Sequence, residues 1–233
     1  LNLVVSAQNA VIREEVLPLL TYPFSDPDMV PEVGRIYPYY RFNGYTDKGV
    51  VRDWKMIVLE NKYIKLWVNP QVGGKIWGAI EKSTGREFIY FNHVVKFRDV
   101  AIRGPWTSGG LEFNFGLIGH GPSCANPVDY FTRTNNDGGV SCFVRNLDLP
   151  SRTRWMVEIN LPPDKAYFTT RSVWDNPTVL DQSGYHWTNL GIKTEGNLEY
   201  QFPGNKYIGH DGKSYAWPKD DKGRDLQFYE NNN

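Results

Sequence analysis

Between Thr153 and Leu161, apolar side chains fall on every second residue: Trp155, Val157, Ile159 and Leu161. A strand turns successive side chains to opposite faces, so a period of two builds one apolar face. Strand patterns of this kind recur along the chain. Met56 to Val68 is β-branched and aromatic with Glu60-Asn61-Lys62 in its middle, which predicts a hairpin that Pro70 ends. Lys75 to Glu81 and Glu87 to Phe91 flank a Ser83-Thr84-Gly85 turn. Val140 to Arg145 follows Asn135 to Gly139, whose residues tolerate positive φ. Ala166 to Trp174 and Tyr185 to Ile192 continue the series. Helix signals are confined to Ala10 to Leu20, roughly two turns ending before Tyr22-Pro23. Short strands at regular spacing with polar turns predict an all-β, antiparallel β-sandwich rather than βαβ units.

A chain of 233 residues accommodates such a sandwich as one domain. Its 26 Lys and Arg are balanced by 26 Asp and Glu. It lacks the basic excess that phosphate neutralisation requires, so nucleic acid is not an expected partner. No apolar run is long enough to span a bilayer. Aromatic residues reach 15%, with 8 Trp and 14 Tyr; such flat amphipathic rings serve sandwich cores and sugar clefts. Leu1 to Gln8 reads as the tail of a secretory signal, a short apolar stretch closing on small residues. On that reading the protein is exported, to the periplasm, the cell surface or the medium. The expected division is a signal remnant and lead-in over 1–20 and a single sandwich domain over 21–233. Pro23 to Gly49, rich in Pro, Gly, Asp and Tyr, would wrap the sandwich surface. Cys124 and Cys142 have no CxxC spacing, and the sequence leaves their pairing open.

The chain lacks GxGxxG, P-loop, HExxH and GxSxG signatures. His93, His120, His186 and His210 are scattered, and no Cys or His spacing suits a metal. Neither a cofactor nor a metal is expected. The densest segment is Arg103 to Asn126. Glu112 and Asn114 share one face of a short strand, with Phe113 and Phe115 on the core face. Gly109-Gly110 lets the backbone approach a neighbour closely. His120 stands between glycines in a loop. Arg103, Trp106, Glu112, Asn114 and His120 could line one groove, where a ring stacks on a sugar and the polar groups match its hydroxyls. Core packing for Trp106, a lysine partner for Glu112 and a surface loop position for His120 fit the same residues equally well. A second segment, Tyr185 to Leu190, puts Tyr185, Trp187 and Asn189 on one face and His186, Thr188 and Leu190 on the other. Leu190 suggests that the second set faces the core. His186 is the group of this segment that titrates near neutral pH.

The stretch VLENKYIKLWVNPQVGGKIWGAIEKSTGREFIY, with its turn of Pro70, Gly73, Gly74, Lys75 and Ile76, resembles the opening of the galactose mutarotase-like superfamily. GPWTSGGLEFNF followed by His120, and WTNLGI from Trp187, resemble more specifically an uncharacterised bacterial domain family within it. That family is common in Bacteroidetes and sometimes fused to tetratricopeptide repeats. The resemblance runs from about Tyr22 to the C-terminus. It implies a supersandwich with a carbohydrate cleft on its concave face. It also implies roles: His120-Gly121 as the sugar-binding loop histidine, and Tyr185-His186, offset by one position, at the place of the histidine that protonates the ring oxygen. Two departures stand out. The family usually carries paired histidines where this chain has Gly119-His120, and the C-terminal glutamate base has no counterpart. Losing a general base costs roughly 10² to 10⁴ in rate. The sandwich is therefore expected to be incomplete at its C-terminal end, or to continue beyond Asn233.

These readings give a carbohydrate-binding protein, with Glu112, His120 and His186 as candidate catalytic groups. Arg103, Trp106, Asn114, Tyr185, Trp187 and Asn189 are the candidate sugar contacts. The alternatives are a carbohydrate-active enzyme (epimerase, hydrolase or lyase) and a structural domain without ligand.

Overall fold

A computed structural model describes residues 9–25, 44–99, 105–116, 120 and 122–232. Leu1 to Gln8, Arg103 and most of Pro23 to Gly49 lie outside these residues. The fold is all-β: 48% of the chain is strand, the sheets curl into a half-barrel consistent with a β-sandwich, and no helix reaches seven residues among the described residues. The chain divides into two compact units, Leu1–Ile192 and Lys193–Asn233.

In the first unit the strands are β1 (Val11–Tyr22), β2 (Val50–Glu60), β3 (Ile64–Asn69), β4 (Lys75–Glu81), β5 (Glu87–Ile89), β6 (Val94–Lys96), β7 (Arg98–Asp99), β8 (Pro105–Trp106) and β9 (Leu111–Asn114). After a 3₁₀ turn at Pro122–Ala125 come β10 (Asp129–Thr134), β11 (Val140–Leu147), β12 (Arg154–Leu161), β13 (Thr169–Asp175) and β14 (Trp187–Leu190). One eight-stranded sheet has the order β14-β9-β4-β3-β2-β1-β6, with β5 against β4, and a four-stranded sheet has the order β10-β11-β12-β13. The large sheet is antiparallel apart from β1 and β6, which run parallel.

The predicted hairpin forms as β2 and β3. Asn61 Oδ1 closes it by accepting from the backbone N–H of Tyr63 and Ile64 at 2.8 and 3.0 Å. The stretch read as helical, Ala10 to Leu20, is instead a strand, pairing with β2 from Val11↔Glu60 to Thr21↔Val50. Pro18 lies inside the segment, where a helix would lose a hydrogen bond and clash. Leu17, Leu19 and Thr21 turn inward at the spacing of a strand.

The main core fills the space between the two sheets. Ile57, Leu59, Leu66, Val68, Ile76, Phe113 and Phe115 from the large sheet meet Val140, Cys142, Val144, Trp155, Val157, Ile159 and Leu161 from the small one. The alternation seen in 153–161 is this inner face: all four of its apolar residues are buried. Phe115 stacks on Trp155 with centroids 4.8 Å apart. Cys142 is a free, buried thiol here, pushed up to about 12 by burial. The opposite face of the large sheet carries a second cluster of Trp54, Met56, Val72, Trp77, Phe91, Val95, Phe97 and Ala125.

The second unit holds β15 (Lys206–Ile208) and β16 (Ser214–Ala216), paired as a hairpin. Its aromatics pack on one another, with Tyr200 on Phe202 and Phe202 edge-on to Trp217. A backbone bridge between Glu199 and Phe228 ties its two ends together.

Candidate functional site

The site grows from one strand. β9 presents Phe113 to the main core and Glu112 and Asn114 to the opposite face, as alternation requires. β14 pairs with it in the register Trp187↔Asn114 and Asn189↔Glu112. Residues directly opposite in an antiparallel pair share a face, so these four side chains form one patch. β4 is the other neighbour of β9, through Ile76↔Leu111. Lys75, next to Ile76 and facing the other way, joins the patch.

Backbone approach at the β9 entrance depends on glycine. Gly110 has φ +69, and a Cβ there would lie 2.4 Å from the Ile76 carbonyl oxygen. Only a residue without a side chain adopts this conformation at such a distance. Main-chain bonds then lock the junction: Gly110 donates to the Tyr90 carbonyl at 2.9 Å, Tyr90 to Gly191 at 3.0 Å, and Gly191 to Gly110 at 2.8 Å. This is the close approach that Gly109-Gly110 announced in the sequence.

Glu112 is 3% exposed. Its Oε1 accepts from Asn114 Nδ2 at 2.8 Å and lies 2.9 Å from His120 Nδ1. A carboxylate only accepts, so in this contact His120 Nδ1 is the donor. His120 holds φ 53, a left-handed conformation uncommon outside glycine. Its ring sits edge-on to two indoles, 5.9 Å from Trp106 and 4.6 Å from Trp187. The Cys124 thiol donates to the His120 carbonyl at 3.8 Å. Burial and the Glu112 carboxylate push that thiol well above the ordinary range, so it stays protonated.

Lys75 is 1% exposed, and its Nζ donates to the Thr107 carbonyl at 2.9 Å and Thr107 Oγ1 at 3.1 Å. Burial lowers the Lys75 ammonium below its ordinary range, while Glu112 and the Cys124 thiol act in the opposite direction.

The indoles of the molecule differ. Trp54 donates to Thr21 Oγ1, Trp77 to the Asn92 carbonyl and Trp174 to Thr153 Oγ1, each at 2.9 Å. The two indoles beside His120 do not. Trp106 Nε1 and Trp187 Nε1 are buried without a hydrogen-bond partner among the described residues, and so is Glu112 Oε2. Unpartnered buried polar atoms are costly, on the order of 1–3 kcal/mol each, and a cluster of three around one dyad needs a cause.

Of the residues singled out in the sequence, the structure brings Trp106, Glu112, Asn114, His120 and Trp187 together, with Asn189 opposite Glu112. Tyr185 stands at the edge, 53% exposed, its ring 6.2 Å from Trp187. His186 lies on the other face: its ring stacks on Phe115 at 4.2 Å, and its Nδ1 bonds the Asn114 carbonyl at 2.8 Å. It makes no contact with the Glu112–His120 pair. Leu190 is exposed rather than in the core, because β14 is the last strand of the sheet. Arg103 lies outside the described residues. Lys75, Thr107 and Cys124 joined the cluster without a signal in the sequence strong enough to mark them. The one available hint was a lysine opening an otherwise apolar strand. Among the described residues no group of His, Cys, Asp or Glu is arranged to hold a metal ion.

Among solved structures, the chain is similar to a TPR-domain containing protein from Parabacteroides distasonis, with a TM-score of 0.77 and 24% identity. The match covers 86% of this chain and 35% of that one, so the chain spans about a third of that protein. The likeness concerns the fold. Residues 31–233 match the family described as "Domain of unknown function (DUF5107)", and with most of its length inside that match the chain belongs to the DUF5107 family.

Proposed function

We propose that the protein binds carbohydrate at the cluster of Glu112, Asn114, His120, Trp106 and Trp187, on a galactose mutarotase-like scaffold. The observation that carries this reading is the set of three buried polar atoms around one dyad that have no partner among the described residues. A pyranose supplies what they lack. A sugar hydroxyl donates to Glu112 Oε2, and hydroxyl or ring oxygens accept from the two indole N–H groups. The indole faces beside His120 offer the apolar surface that a sugar's C–H face packs against. Asn189, across from Glu112, extends the polar floor. The resemblance to the mutarotase-like superfamily supports the same ligand class.

The test is titration calorimetry of the whole chain against a panel of neutral mono- and oligosaccharides. Binding by at least one is expected, and Trp187→Ala should weaken it roughly tenfold, the loss of one aromatic contact. A panel that yields no binding overturns the reading.

A second reading, acid–base catalysis on a sugar, is favoured by the direct 2.9 Å contact between Glu112 and His120. The pair combines an acceptor carboxylate with an imidazole able to carry a proton. Glu112→Gln separates the two readings. An enzyme loses turnover, followed as anomer exchange or glycan cleavage, with affinity retained. A binding module shows a change in affinity alone.

A further inference from the structure

We propose that the outer face of the small sheet holds a second ligand site: a groove for an acidic saccharide, in which Arg145 and Arg154 grip the carboxylate of a hexuronate unit. It lies on a different sheet from the Glu112 cluster and does not rest on the reading given for that cluster.

The placement of these residues follows from alternation. β11 and β12 turn Val144, Trp155 and Val157 to the core, so Arg145, Leu147, Arg154 and Met156 face outward. Register sets Arg145 opposite Met156 and Leu147 opposite Arg154. The four make a checkerboard, with guanidiniums on one diagonal and apolar side chains on the other. Diagonal neighbours in a sheet lie about 7–8 Å apart, close enough for two long side chains to converge on one group. Each row then ends on an acid: Asp129 opposite Arg145 on β10, and Asp175 opposite Arg154 on β13. A groove of about 460 Å³ runs over these residues. Small-molecule sites occupy roughly 300–1,000 Å³, so the groove has the right size.

Neither guanidinium is neutralised in place. Arg145 Nε stands 3.8 Å from Asp129 Oδ2, and both side chains are exposed, a pairing that contributes little. Arg154 and Asp175 are directly opposite, yet their side chains form no ion pair or hydrogen bond among the described residues. Two cations set diagonally over an apolar floor call for an anion, and the planar fork of a guanidinium matches a carboxylate. The flanking aspartates restrict which anion. A carboxylate only accepts, so an acidic peptide would set its successive charges against Asp129 and Asp175. A sugar acid meets all the features at once. Its carboxylate accepts from the arginines, its hydroxyls donate to the aspartates, and its C–H face packs on Leu147, Met156 and Val173.

The experiment is titration calorimetry of the whole chain at low ionic strength with trigalacturonate, triglucuronate and trimannuronate. At least one is expected to bind. Its methyl ester, which keeps the hydroxyls and loses the charge, should bind roughly tenfold more weakly or worse, and Arg145→Gln and Arg154→Gln should weaken the acid by a similar factor. Both positions are exposed, so these variants are expected to fold. In ¹⁵N-arginine-labelled protein the Nε–H signals of Arg145 and Arg154, identified by their loss in the same variants, should shift during the titration. Trp187→Ala should leave this binding unchanged. The proposal is overturned if none of the three acids binds, if Arg154→Gln binds as the wild type does, or if hexaglutamate binds more tightly than the sugar acids. A loss of acid binding in Trp187→Ala also overturns it, by placing the acid at the Glu112 cluster. The probes and variants differ from those of the neutral panel, so the failure of one site is distinguishable from the failure of the other.

Discussion

The two faces of the eight-stranded sheet are built from the same strands and obey different rules. Toward the small sheet, Ile57, Leu66, Phe113 and Phe115 meet Trp155 and Ile159 in one apolar cluster. On the other face, beyond an aromatic patch around Trp77, β9 and β4 present Glu112, Asn114 and Lys75, all buried. The first face is stabilised by area removed from water, about 1.5–3 kcal/mol for each large apolar side chain. The second stands only if each polar atom finds a partner, because an unpaired buried one costs as much as a large side chain contributes. Alternation lets one four-residue strand serve both, so the site inherits the rigidity of the core beneath it.

Three changes probe this contrast. Trp155→Ala on the dry face should cost about 4 kcal/mol in urea denaturation, through lost contact and the cavity under Phe115. A loss below about 1 kcal/mol would mean that the stacked pair is not central to the core. Gly110→Ala, at the junction of the two faces, should cost about 2 kcal/mol or more, combining positive φ with the approach to the Ile76 carbonyl. Gly85 shares the sign of φ (+70) but a Cβ there meets nothing within 4 Å. Gly85→Ala should therefore cost only about 1 kcal/mol. Equal losses at the two glycines would show that conformation alone, and not the close approach, matters.

The smallest effect belongs to the solvent-exposed end of β4. Glu81 accepts from the hydroxyls of Ser83 and Thr84 and from their backbone N–H groups, and these bonds lower its carboxyl from 4.5 to about 2. Because the folded value is depressed, its contribution is complete above about pH 4.5 and is lost as the pH falls through about 2. Glu81→Gln should flatten the fall in stability over that window and leave the neutral-pH dependence unchanged. Parallel acid limbs in the two proteins would remove this turn from the account.

Much of this architecture could be read from residue order. Strand β4 has the bounds that its apolar run and flanking turns suggested, and the alternation in 153–161 gave the inner face of β12 directly. The placement of Glu112 and Asn114 opposite Phe113 followed from period two alone. Failures came where tertiary pairing outweighed local preference. Ala10 to Leu20 reads as weakly helical, yet β2 captures the segment from Val11 to Thr21. β10 escaped notice because Asp129–Thr134 is a largely exposed edge strand with no apolar alternation. Leu190 looked like a core residue because hydrophobicity was taken for burial, a rule that fails on an edge strand. Lys75 was invisible as a site residue for the converse reason. Lysines are almost always solvated, and nothing local distinguishes the one that is not.

The ring of bonds among Tyr90, Gly110 and Gly191 uses main-chain atoms alone. Positions 112, 114, 187 and 189 are thus held in place by groups whose identity substitution does not alter. A library randomised at these four sites would vary surface chemistry on an unchanged frame, which makes this corner of the sheet a natural graft point for engineered binding.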